Sequence, residues 1–308
     1  MSSAGFAGAS SPGEVRKGGG APLGANRLGR DPGLQKMNTG LALAALALLF
    51  AAYAIGWCRL ARRSASAVAP WRPLAAAGGL ATFGLALASP LAEAAHQRFA
   101  AHMLQHVLMM MLAVPLVLSS DPFAALVWAL PRQGRAAVGL LLTRAAPLRR
   151  LATFLVAPPV AWVLSASVVW LWHVPALYDL ALENEIWHVV EHGAFVMGAA
   201  VFWWPIVTPA PRVRRPPADG ARLAYLVLAA VVNGGLGVLF ASATRPFYAA
   251  YAGAPDAVDD QALGGVVMWA VGSAVEMVAI LVVVWRILAR TGSGALTGTG
   301  AVRENESV

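Results

Sequence analysis

Long apolar runs separated by short polar gaps set the pattern of this chain. A helix needs about 20 mostly apolar residues to cross the hydrocarbon core of a bilayer. Seven segments approach that length: 40–57, 74–91, 102–118, 152–172, 186–207, 223–243 and 263–287. The pattern therefore predicts an all-α, polytopic membrane helix bundle of seven transmembrane helices within residues 37–290. Residues 1–36 and 291–308 read as disordered tails, the first because it is rich in Gly, Ala, Ser and Pro and has no continuous apolar run. Met37 stands directly before the first run and is an alternative start.

The longest gap, 119–151, mixes apolar clusters with arginines, which suits one or two helices lying on the membrane surface. Asp121 and Pro122 are placed to begin the first of them. Pro115 is expected to bend the third span, because proline removes a helical donor and crowds the preceding turn. Asn233, Gly234, Gly235 and Gly237 should make the sixth span thin enough for close packing. No internal repeat is evident, which weakens an inverted-repeat transporter reading.

Composition agrees with a membrane bundle and excludes a single soluble globule: 58% of residues are hydrophobic, 12% are charged, and the mean hydropathy is +0.64. The net charge of +8 would suggest nucleic acid if it formed a patch, but the basic residues sit in gaps between spans, so no nucleic-acid partner is expected. Basic residues in gaps report orientation instead. The gaps after spans one, three and five carry Arg59, Arg62, Arg63, Arg72, Arg132, Arg135, Arg144, Arg149, Arg150, Arg212, Arg214, Arg215 and Arg222. With Arg286, Arg290 and Arg303 these make sixteen, against only Arg98 and Arg245 in the other gaps. The C-terminus is thus expected inside and the N-terminus outside, against the five basic residues of the first tail. Cys58 is the only cysteine, which removes internal disulfides and CxxC chemistry.

On that topology all six histidines, His96, His102, His106, His173, His188 and His192, fall at outer helix ends or in outer gaps. His102 and His106 are four residues apart, so they share a helix face, and Met110 continues that stripe. His188 and His192 repeat the spacing, with Glu191 on a neighbouring part of the face. Two such helices facing each other would form a pocket of imidazoles near the outer surface. The plainer readings are interfacial anchors for isolated histidines, packing for Met109 and Met111, and an aromatic belt for Trp57, Trp71, Trp172, Trp187, Trp203, Trp204 and Trp285. Glu276 lies deep in the seventh span, where a carboxylate needs a partner such as Asn233.

Imidazole with thioether, and no thiolate pair, suits copper among first-row metals, with methionine favouring the cuprous ion. Zinc would also accept the histidines, but HExxH is absent because Glu191 directly precedes His192. A b-type haem between facing histidines ranks below copper, since the chain lacks a second histidine layer and could hold at most one outer haem. A single-haem redox protein and a small-solute or ion transporter, the latter favoured by Glu276, are the alternatives.

The runs HQRFAAHMLQHVLMMMLAVPLVLSSDP, WHVPALYDLALENEIWHVVEHGAFVMGAAVFWWPIV and DDQALGGVVMWAVGS resemble the CtaG family of cytochrome c oxidase assembly proteins. The resemblance covers most of residues 40–288 and leaves both tails outside. It implies a non-enzymatic, multi-pass protein of the bacterial cytoplasmic (plasma) membrane that works on cytochrome c oxidase subunits and has a role in copper supply. Its partners would be the lipid bilayer, a nascent oxidase subunit and a copper donor protein. Its motifs fall here on His96, His102, Met103, His106, His173, His188, Glu191, His192, Asp260, Gln261 and Met268. Together with Met110, and leaving Gln261 aside, these are the candidate metal residues.

Overall fold

The computed structural model describes residues 32–64 and 69–303, and among these residues there is no β-strand. The helices are α1 (Pro32–Arg63), α2 (Arg72–Ala88), α3 (Pro90–Ala94), α4 (Phe99–Val107), α5 (Val114–Ser119), α6 (Pro122–Ala129), α7 (Arg132–Arg144), α8 (Ala146–Leu155), α9 (Pro158–Trp172), α10 (Pro175–Glu183), α11 (Glu185–Val207), α12 (Asp219–Ala241) and α13 (Ala257–Arg303). A π-helical turn, Leu108–Ala113, joins α4 to α5. Five helical stretches are long and apolar enough to cross a membrane: Thr39–Arg63, Phe99–Ser119, Glu185–Val207, Asp219–Ala241 and Ala257–Thr291. A sixth arises if α8 and α9 count as one span.

Two expected spans differ from the pattern. The run 152–172 is not one helix, because α8 and α9 meet at an angle of 71°. Pro158 and Pro159 cannot donate to the preceding turn, and Ala157 before them is extended at φ −65°, ψ 129°. The run 74–91 gives α2 of only 17 residues, ended where Pro90 starts α3 under a cap from Ser89 Oγ, which accepts from Leu91 N at 3.1 Å. The gap expected to hold one or two surface helices holds α6, α7 and the start of α8. Of these, α6 packs along α1, where Tyr53 donates to Ser120 O at 3.0 Å and Arg59 donates to Ala129 O at 2.6 Å. At the termini, α1 begins at Pro32 and α13 continues to Arg303, inside the stretches read as tails. Residues 1–31 and 304–308 of those tails lie outside the described residues.

Connections between spans meet in two separate groups. Asp121, between α5 and α6, pairs with Arg72 at the start of α2 (2.6 Å) and accepts from Ala210 N after α11 (2.8 Å). The gaps after the expected first, third and fifth spans are thereby tied together. In the other group, Arg98 pairs with Asp256, Tyr251 donates to Ala95 O at 2.9 Å, and Tyr248 donates to His173 O at 3.0 Å. These contacts join the gaps after the second, fourth and sixth spans. Between the ends, α12 and α13 approach closely: a Cβ added at Gly237 would stand 2.7 Å from Gly265 O.

Candidate metal centre

Two helices deliver the ligands, and each has its start fixed by a side chain. The Asp260 carboxylate, from α13, accepts from Phe99 N at 2.6 Å and Ala100 N at 3.4 Å, which satisfies two orphan donors at the start of α4. Asn184 does the same for α11, accepting from Ile186 N at 2.9 Å and Trp187 N at 3.3 Å. Phe99 is buried among Tyr178, Phe240, Tyr248 and Tyr251, which anchors α4 one turn before His102.

Between these helices, one ligand atom from each of His102, His106, Glu191 and His192 lies within 4.8 Å of the others. His102 Nε2 and His106 Nε2 are 2.9 Å apart, and Glu191 Oε2 is 3.8 Å from His102 Nε2. His102, His106 and Glu191 are buried, and among the described residues neither Glu191 oxygen has a hydrogen-bond partner. A buried carboxylate lacking such partners is costly unless a cation compensates it. The donor set therefore fits a metal ion. In a tetrahedral shell with bonds of about 2.0–2.1 Å, ligand atoms stand roughly 3.4 Å apart, so the widest pair must close by roughly an ångström and a half. The rings of His188 and His96 adjoin the group: His188 lies 4.3 Å from His192 and 5.5 Å from His102, and His96 lies 5.4 Å from His188.

A layer of tyrosines orients and closes the cluster, and the sequence patterns did not reveal it. Tyr251 lies 3.1 Å from His102 Nδ1, while Tyr248 stacks on Tyr178 at 3.9 Å between centroids. Burial pushes the hydroxyls of Tyr178, Tyr248 and Tyr251 well above their ordinary range, so they stay neutral. The segment carrying Tyr248 and Tyr251 is held by Asp179, which accepts from Ala249 N and Ala250 N, and by Gln261, which accepts from Phe247 N at 2.7 Å. The only signal in the sequence was two tyrosines in a gap that otherwise reads as a loop.

The remaining candidates separate by position. Asp260 is not brought into the cluster, because both of its oxygens are spent on capping α4. Met103, Met110, His173 and Met268 line an adjoining cavity, and His106 lies on its wall as well. Met111, read as packing, lines it too. Pro115 produces the π turn: it has no N–H for the Met111 carbonyl, and Val114 N reaches back five residues to Met109 O. That shift leaves the Met110 carbonyl to Trp203, whose Nε1 donates to it at 3.0 Å.

A family model described as cytochrome c oxidase caa3 assembly factor (Caa3_CtaG) matches residues 51–290. The chain belongs to that family. The imidazole cluster, the tyrosine layer and the cavity of this assembly factor all lie within the matched region. Searches of curated proteins and of solved structures give no match to it. Its several long apolar helices make it a multi-pass membrane protein associated with lipid and with the oxidase it helps to assemble.

Proposed function

We propose that this assembly factor holds copper in the His102, His106, Glu191 and His192 cluster and delivers it to a nascent oxidase subunit, without catalysing a reaction of its own. The carrying observation is the convergence of four ligand atoms in a buried pocket at one end of the bundle. Imidazoles beside a thioether-lined cavity favour copper over the harder divalent ions. Across the two helices the facing rings of His106 and His192 stand 5.1 Å apart, edge to face and in contact, which favours a single ion over a porphyrin between them.

The reading includes seven crossings of the bacterial plasma membrane, with the N-terminus outside and the C-terminus in the cytoplasm. Its support is the separation of the connections into two groups, odd gaps with odd and even with even, as alternate crossings require. The arginine-rich group would face the cytoplasm. The histidine cluster would then open to the outer side, where a copper donor protein can reach it.

The test is metal analysis of the full chain purified in mild detergent after loading with cuprous ion. About one copper per chain should be retained, and replacing His102 and His106 together with Ala should abolish it. A wild-type protein that retains no copper overturns the reading.

A further inference from the structure

A cavity adjoins the imidazole cluster, and its wall differs in chemistry. Four thioethers, Met103, Met110, Met111 and Met268, line it together with the imidazoles of His106 and His173. The same wall carries Glu276 and Asn233, whose Nδ2 donates to Glu276 Oε1 at 3.4 Å. His173 Nδ1 donates to Val169 O at 2.6 Å, so its lone pair is on Nε2, which is buried and has no hydrogen-bond partner among the described residues. The buried Nδ1 of His106 likewise has none. Glu276 is 1% exposed. A purely structural packing region would not gather two unpartnered ring nitrogens, four sulfurs and a carboxyl around one void.

We propose that this cavity is a second station for the metal, a thioether-walled cuprous site that receives the ion from the imidazole cluster, with His106 shared by both and Glu276 as counter-charge. The inference rests on the copper reading and adds to it where the ion goes next. Thioethers select the cuprous state, and no change of oxidation state is involved. A neutral imidazole offers one lone pair, on Nε2 or on Nδ1. His106 therefore ligates in the cluster through Nε2 or in the cavity through Nδ1, and the two stations fill one at a time. A monovalent cation entering this low-dielectric wall needs a negative partner. Of the wall residues only His106, His173 and Glu276 titrate, and Glu276 alone can become an anion. A cation held in the cavity would stand beside that carboxylate.

The experiment uses the full-length chain labelled with selenomethionine, loaded with cuprous ion in detergent under reducing conditions, and read by X-ray absorption at the copper and selenium edges. A copper–selenium shell is expected, which requires no substitution and therefore no assumption about folding. In ordinary protein, Met111→Leu with Met268→Leu should lose at least half of the sulfur shell while copper remains on nitrogen and oxygen. Glu276→Gln should weaken retention of silver(I), a redox-inert stand-in, by tenfold or more. Retained copper with nitrogen and oxygen neighbours only, in labelled wild type, overturns the second station and leaves the copper reading intact. No retained copper overturns both.

Discussion

Tyr251 fixes the tautomer of His102. The tyrosine donates its single proton to the Ala95 carbonyl at 2.9 Å, so at 3.1 Å from His102 Nδ1 its oxygen can only accept. His102 therefore carries its proton on Nδ1 and presents the Nε2 lone pair toward His106 and Glu191. Partners of this kind, one layer behind a metal ligand, typically set affinity by 10- to 100-fold. Tyr251→Phe should accordingly lower copper retention by about that factor in competition with a chelator, with little change in abundance. Tyr248→Phe, which frees the His173 carbonyl instead, should leave the His102 tautomer unaltered and serves as the comparison. Equal retention in wild type and Tyr251→Phe would contradict this role.

Close approach of α12 and α13 gives a second expectation. Gly237→Leu must push a side chain into the Gly265 backbone and into Trp269, whose Cβ would be 3.0 Å from the new Cβ. Backbone on that side cannot yield cheaply, so the membrane level of the variant should collapse. Gly235→Ala, two residues away, meets nothing within 4 Å and should accumulate normally. Quantitative blotting of membranes distinguishes the pair.

The Arg98–Asp256 pair ties the residue that precedes α4 to the segment before α13. A hydrogen bond from Arg98 holds the Asp256 carboxyl below its ordinary range. A depressed carboxylate stabilises the fold above its unfolded pKa, and that contribution is lost as pH falls through the folded value. Both side chains are about half exposed, so solvent screens the pair and the effect is small. Asp256→Asn should melt slightly below wild type at neutral pH, and the two curves should converge under acid conditions. A gap that widens on acidification would contradict the pairing.

Orientation is tested by reporter fusion. Alkaline phosphatase joined to the C-terminus should be inactive, because that enzyme folds only when exported and the arginine-rich end is assigned to the cytoplasm. A fusion in the segment between α12 and α13 should be active. An active C-terminal fusion reverses the assignment and moves the histidine cluster to the wrong side for an external donor.

Much of the cluster was legible because helical periodicity alone places His102 with His106 and His188 with His192. Their depth was not legible: the pattern placed them near the outer surface, whereas His102 and His106 are buried. Asp260 entered the candidates only through the family motif, and in the structure its carboxylate caps the start of α4, where helices recruit carboxylates. Tyr251 gave no periodic signal, since its role depends on a loop folding back across 149 positions onto His102. Pro115 announced a disturbance but not its form; only the π turn showed that Met110 and Met111 change register beside the cavity. The Pro158–Pro159 pair was visible, yet the apolar run through it masked the 71° bend.

Copper supply is the central claim, and its most direct measurement is the copper content of the oxidase in cells carrying the His106→Ala protein, grown at low and high copper. His106 stands at the junction of the cluster and the cavity, and its ring packs on Phe195 and His192 without supporting a helix end. The variant should therefore reach normal abundance while the oxidase lacks copper at low supply, with partial recovery at high supply by mass action. Full oxidase copper at low supply, with the variant present at normal abundance, would contradict the account.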